Sequence, residues 1–256
     1  MRGPAIAGGG IGILVLAVAI LLCGGDPSQL LQFSAEQQQV QQTSPAANKA
    51  GSEDENRQFV GAIMGNLEDA WRQILPAQSR VRYQDPKLVL FTGQVSSACG
   101  FASAASGPFY CPGDSKLYLD FAFFDELRRE FKAPGDFAQA YVIAHEFGHH
   151  IQNLTGVMSQ VQRAGQNNRL SVALELQADC YAGVWANFAA RQGRLEKGDA
   201  EEALRAAAAV GDDIIQKRTQ GFVVPESFTH GTAQQRMQWF TRGMQTGDMR
   251  QCDTFR

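Results

Sequence analysis

Two histidines and a glutamate set inside an apolar stretch constrain this chain more than any other feature. The segment Phe137 to about Leu154 contains Ala144-His145-Glu146-Phe147-Gly148-His149-His150. It has the length and apolar content of a buried helix, and Asp136 with Gln139 three residues on forms a capping-box pattern at its start. Residues four apart share a helix face, so His145 and His149 present two imidazoles to one point with Glu146 beside them. Buried ionisable groups need partners or a metal. Zinc accepts this arrangement: a hydrolytic zinc site takes three protein ligands plus a water whose proton a carboxylate receives, and Glu146 stands where that carboxylate is needed. Gly148 lowers helix propensity by about 1 kcal/mol, a cost tolerated where close packing or access to the metal requires it.

The third ligand must come from elsewhere. His150 points about 100° away from the His145/His149 face, and no histidine follows at the spacing of an H-E-x-x-H-x-x-G-x-x-H pattern. The segment Leu170 to Gln192 reads as a second helix, with Glu175 and Asp179 four apart on one face amid Leu174, Leu176, Ala178, Cys180 and Tyr181. Those neighbours leave little room for a solvated acidic face. The simplest assignment makes Glu175 the ligand and Asp179 the acceptor that orients one histidine through its other ring nitrogen. The reverse assignment, with Asp179 ligating, is the alternative. His230, in Phe228-Thr229-His230-Gly231-Thr232, is the remaining histidine. It is a candidate donor to an oxyanion, with a loop-holding role or a fourth metal ligand as the alternatives.

Composition narrows the partners. The 256 residues carry a net charge of −3 and no run of Lys or Arg, so nucleic acid is not an expected partner. Gly3 to Gly25 is uncharged and includes the apolar run Ile11 to Leu22, close to the roughly 20 residues of a spanning helix. Ala17-Val18-Ala19 comes too early for a cleaved signal, and Leu22 precedes Cys23 where lipid modification wants a small residue. Residues 1–25 are therefore expected to be an uncleaved transmembrane anchor, with a cleaved signal and a lipidated Cys23 as the competing readings. Arg2 before the span and Asp26 after it leave the C-terminal bulk exported, periplasmic or extracellular. Outside the span, Cys99, Cys111, Cys180 and Cys252 form an even set that fits disulfides in an oxidising compartment. Cys99 and Cys111 bracket a Gly/Ser/Ala-rich loop and are the expected first pair, Cys180 and Cys252 following by elimination; four reduced thiols are the alternative.

Residues 26–53 are rich in Gln, Ser, Ala and Pro and read as a flexible linker, which leaves 54–256 as the folded body. Phe59 or Val60, Ile63 or Met64, Leu67, Trp71 and Ile74 or Leu75 recur at helical spacing, with Pro76 as the stop. Leu88 to Phe91 and Lys116 to Leu119 read as strands of a small antiparallel sheet. Further helices are expected over Phe121 to Phe131, from Asp199, with Glu202 at the capping offset, to about Lys217, and over Thr229 to Arg242. The expected fold class is α+β, mainly helical with a small antiparallel sheet, preceded by one transmembrane helix.

Five strings in order carry a resemblance. They are Gly107-Pro-Phe-Tyr-Cys-Pro112, Ala140 to His150, Glu175-Leu-Gln-Ala-Asp-Cys-Tyr-Ala-Gly183, Thr229-His-Gly231 with Gln235-Arg236 and Trp239-Phe240, and Cys252-Asp-Thr-Phe255. Together they resemble the neutral zinc metallopeptidase family of bacteria, over about 150 residues from Ser97 to Phe255. The resemblance implies a membrane-anchored, gluzincin-like peptidase of zincin-like fold, with one zinc per chain. Its metal residues match His145, His149 and Glu175, with Glu146 as base, and its substrate would be a peptide or protein. By analogy with zinc peptidases of this architecture, strand Lys116 to Leu119 is expected to align an extended substrate by edge pairing. A rival of a different class is a non-catalytic, zinc-stabilised domain that binds envelope proteins or peptides.

Overall fold

The computed structural model describes residues 45–103, 107–123, 135–165 and 167–256, with side chains from Asp54 onward. The expected anchor, residues 1–25, and the expected linker up to residue 44 lie outside the described residues. Among the described residues no helix is long and apolar enough to cross a membrane.

Helix α1, Pro45–Gln78, starts nine residues inside the segment read as linker and continues past Pro76. Proline in the last turn forfeits only one helical hydrogen bond there, so it does not end the helix. The anticipated stripe is the buried one: Val60, Met64, Leu67, Trp71, Ile74 and Leu75 all face the core. Residues Glu55–Arg256 make one compact unit.

The sheet differs from expectation in two respects. Strand β1, Lys87–Phe91, pairs parallel with β5, Lys116–Asp120, and the antiparallel partner of β5 is β4, Phe109–Cys111. The order β1-β5-β4 makes β5 the central strand, so its backbone groups are paired on both sides and it offers no edge. Its burial fits that position. Leu117 and Leu119 enter the main core while Tyr118 packs with Phe91 and Cys111 on the opposite face, as a strand covered on both sides must. A separate antiparallel pair joins β2, Gln94–Ser97, to β3, Gly100–Ser103, and β3 falls within the loop expected between Cys99 and Cys111. Cys99, in the turn between them, is bridged to Cys111 on β4. Of the helix expected over Phe121 to Phe131, residues 121–123 are helical and the rest lie outside the described residues.

Six further α-helices of eight residues or more follow among the described residues, and two of them hold the centre. Helix α2, Asp136–Leu154, is buried along almost its whole length, and α4, Asn168–Arg191, packs across it. Their crossing is close because of Gly148, where an added Cβ would sit 2.9 Å from the Ala178 carbonyl oxygen. Between them runs α3, Val157–Ala164, between two glycines of positive φ, Gly156 and Gly165. Helix α2 begins at Asp136 with Gly135 as its cap and no side-chain cap hydrogen bond, so the expected Asp136 box does not form. The long helix expected from Asp199 to Lys217 is two helices, α5, Asp199–Ala209, and α6, Asp212–Gln220. They break at Gly211, where a Cβ would fall on the backbone of Ala233. The Asp199 box is absent too; its carboxylate accepts from the Glu196 N–H instead.

The last helix, α7, Ala233–Thr246, starts four residues later than expected, behind a capping box in which Thr232 and Gln235 satisfy each other's backbone N–H. It lies directly on α4. A Cβ on Gly183 would fall on the Phe240 carbonyl and one on Gly243 on the Cys180 carbonyl, so glycine at both positions lets the two backbones touch. Cys180 on α4 is bridged to Cys252 in the C-terminal segment. Both expected disulfides are present, and they fit an oxidising compartment.

Candidate metal centre

One turn of α2 and one turn of α4 meet where Gly148 lets them approach, and this brings three side chains to a point. His145 Nε2 lies 3.1 Å from Glu175 Oε2, and His149 Nε2 lies 3.4 Å from Glu175 Oε1. One ligand atom from each of His145, His149 and Glu175 falls within 4.8 Å of the others. Asp179 lies one turn further along α4 and does not join them. Its Oδ1 meets His145 Nδ1 at 2.8 Å, which aims Nε2 of His145 at the Glu175 carboxylate.

Asp179 is fully buried and heavily partnered. Tyr141, one turn before His145 on α2, donates its hydroxyl at 2.6 Å. Arg236 on α7 donates Nε to Oδ2 at 2.8 Å and Nη2 to Oδ1 at 2.9 Å. Burial alone would raise the Asp179 pKa, but the charges and hydrogen bonds of Arg236 and His145 overcome it and hold the carboxyl at about 2. Burial would likewise depress His145, yet Asp179 and Glu175 lift it to about 10 within the protein's own charges. Glu175 is pushed up by burial and pulled well below the carboxylate range by the two histidines.

Glu146 is partly buried beside the histidines. Burial raises its pKa, the charge of Glu175 adds to that, and His149 and His145 oppose it; the net shift is upward. The backbone of Tyr110, on β4, opposes the rise as well, and least. His150 turns to the other side of α2, as its position on the helix requires. Burial lowers its pKa, and its Nε2 donates to the Gln84 carbonyl at 2.7 Å while Nδ1 lies against the Tyr110 hydroxyl at 3.1 Å. It thus ties α2 to β4.

A cleft of about 460 Å³ opens over these groups. Its apolar walls include Phe109, Phe123, Val142, Met158, Leu174 and Val210, and His230 stands on its rim. His230 does not join the three convergent side chains, and half of its side chain is exposed. It is held by Asp212, the residue that the break between α5 and α6 turns inward. One carboxylate oxygen of Asp212 accepts from the N–H groups of Thr229, His230 and Gly231 at 2.8, 2.6 and 3.0 Å. The other lies 3.2 Å from His230 Nδ1. That hydrogen bond is the main reason the His230 pKa is raised; burial and Arg236 oppose the shift, while the charges of Glu175 and Asp212 add to it.

Tyr141, Gln152, Gln177, Asp212 and Arg236 are the polar residues around the centre that the sequence reading did not single out. A signal was available for two of them. Tyr141 lies four before His145 and Gln152 three after His149, both on the face that helix periodicity assigns to the site. Asp212 and Arg236 come from distant segments, and nothing in their spacing points to the centre.

Comparison with known proteins identifies a family. The family described as "Putative neutral zinc metallopeptidase" matches residues 2–255. The chain is 45% identical over 265 residues to the uncharacterized protein YpfJ of Escherichia coli K12, covering 99% of this chain and 92% of that one. It is 49% identical over 204 residues to the uncharacterized protein Rv2575 of Mycobacterium tuberculosis, covering 75% of this chain and 68% of that one. No solved structure gives a significant match.

Proposed function

The chain belongs to the family of putative neutral zinc metallopeptidases, and on that premise we propose that it is a zinc-dependent peptidase with Glu146 as general base. The observation that carries this reading is the convergence of His145, His149 and Glu175 at the base of a cleft with Glu146 beside them. Two imidazole nitrogens and one carboxylate oxygen, with the cleft side open, are the donor set of a catalytic rather than a closed structural zinc site. One zinc per chain would be held by those three residues, with Asp179 orienting His145. Bound there, zinc would supply a Lewis acid that polarises a scissile carbonyl and acidifies a water.

The chain's own residues account for the rest. Glu146, with its pKa raised by burial, accepts the proton of the attacking water and returns it to the leaving amine. His230, its pKa raised by the hydrogen bond with Asp212 that holds it at the rim, donates to the oxyanion of the tetrahedral intermediate. A peptide or protein is the substrate. Because β5 is central, the strand that would align an extended peptide is β4, which borders the cleft through Phe109 and Tyr110. The N-terminal 25 residues would anchor the chain in a membrane with the catalytic domain periplasmic or extracellular, a placement supported by the two disulfides.

The test is a zinc determination on the full-length protein beside hydrolysis of a mixed peptide library. Glu146→Gln is expected to keep one zinc per chain and lose hydrolysis by about 10²–10⁴-fold. Undiminished turnover in that variant would remove Glu146 from the mechanism. Zinc without hydrolysis in either protein would favour the non-catalytic binding domain.

A further inference from the structure

His149 has no carboxylate at its second nitrogen. Its Nδ1 faces the side-chain amide of Gln152, at 2.8 Å. An amide presents either its oxygen or its NH₂ group, and the two orientations dictate opposite tautomers of the ring. The surroundings decide between them. The far end of the Gln152 amide lies 2.7 Å from the Leu174 carbonyl oxygen. A carbonyl only accepts, so Gln152 turns Nε2 toward Leu174 and its oxygen toward His149. The same logic fixes the next residue. The Gln177 amide lies 2.9 Å from the Cys252 carbonyl oxygen, so Gln177 turns Nε2 there and presents Oε1 to Gln152 Nε2, 3.1 Å away. Gln152 is 0% and Gln177 6% exposed, so water does not compete for these positions.

We infer that Gln152 and Gln177 are positioning residues for His149, and that the Cys252 carbonyl sets the polarity of the chain they form. Every donor in it meets an acceptor in one direction only. The neutral ring of His149 is thereby held with its proton on Nδ1, and its Nε2 is directed at Glu175 Oε1. The C-terminal segment acquires a role in this arrangement. Cys252 is bridged to Cys180, and the Thr254 hydroxyl donates to the Ala173 carbonyl; both anchors lie on α4, the helix that carries Glu175 and Gln177. The tail, Gln177 and Glu175 are therefore tied to one helix. The consequence for zinc rests on the metal reading above, whereas the tautomer does not.

The test uses the full-length chain with ¹⁵N-labelled histidine. It has four histidines, so single replacements assign each ring. In metal-free protein, at a pH high enough to keep the rings neutral, long-range ¹H–¹⁵N correlation is expected to show His149 with its proton on Nδ1. The Nε2–H form there would overturn the inference without any variant being made. Gln152→Leu removes the acceptor and is expected to weaken zinc binding by about 10–100-fold. Gln152→Glu keeps an acceptor at Nδ1 while setting a carboxylate against the Leu174 carbonyl, so it should bind zinc better than the leucine variant although it is no more stable. Gln177→Leu, which does not touch His149, should weaken zinc several-fold. Folded Gln152→Leu protein with wild-type zinc affinity, or affinities that merely follow thermal stability, would overturn the positioning role. A wild-type chain that bound no zinc would sink the metal reading, and the His149 tautomer would still decide the polarity of the chain.

Discussion

Arg236→Met would take from Asp179 the guanidinium that bonds both of its oxygens, at 2.8 and 2.9 Å. The two side chains are 4% and 0% exposed, so water cannot replace the lost donors. Removing one partner of a buried pair leaves an uncompensated charge and costs about 3–5 kcal/mol. The bond from Arg236 Nη1 to the Val210 carbonyl, 3.2 Å long, is lost as well; at about 1 kcal/mol it stays within that range. For a folded unit of this size each kcal/mol shifts Tm by about 2–4 °C, so the variant should melt roughly 6–20 °C below wild type. Adding Asp179→Asn supplies the control. With neither charge present the penalty of an unpaired carboxylate disappears, and the double variant should be more stable than the sum of the single losses by about 2 kcal/mol or more. Thermal and urea denaturation of the four full-length proteins, with zinc and with chelator, gives the cycle. A loss under about 1 kcal/mol in Arg236→Met, or strictly additive losses, would show that the guanidinium does not compensate Asp179.

Gly148→Ala would place a Cβ 2.9 Å from the Ala178 carbonyl oxygen and 3.0 Å from its Cα, forcing α2 and α4 apart; a loss of about 1–3 kcal/mol with weakened zinc binding is expected by denaturation and zinc titration, and wild-type behaviour would refute the tight crossing. Asp212→Asn should lower the His230 pKa, because the hydrogen bond and negative charge that raise it are weakened. If imidazolium His230 is the active form, activity is present below that pKa and lost above it, so the alkaline limb of kcat/KM should move to lower pH. A pH–rate profile checks this, and an unmoved limb would separate His230 charge from turnover.

Sequence alone revealed the two helices that build the centre because burial and function point the same way there. The histidines, Glu175 and Asp179 sit at helical spacing inside apolar runs, and periodicity reads both facts at once. Gly148 was legible for the same reason, as a residue that only close packing justifies. The sheet was not legible. Leu88 to Phe91 and Lys116 to Leu119 both have strand composition, but pairing direction depends on where the chain returns, and the three-residue β4 between them was too short to register. The capping boxes at Asp136 and Asp199 failed because glycine already occupies each cap position, while the Thr232 and Gln235 box that does form was passed over in favour of Thr229. Asp212 was hidden inside an alanine-rich helical pattern, and only the contact of Gly211 with Ala233 shows why the helix must break there.

The polar surroundings of the three convergent residues divide by charge in a way that bears on what they hold. Asp179 is neutralised by Arg236, so His145 gains a strong acceptor without adding net charge to the interior. The chain behind His149 consists of two amides and a backbone carbonyl and adds none either. Burial disfavours a charge on either histidine of the metal-free site, yet Asp179 and Glu175 lift His145 to about 10 and Glu175 raises His149, so the imidazoles themselves balance the Glu175 carboxylate. Ligating imidazoles are neutral, so a divalent cation held by His145, His149 and Glu175 would have to displace those protons. On the zinc reading, metal binding at the base of the cleft is therefore coupled to proton release from the two histidines.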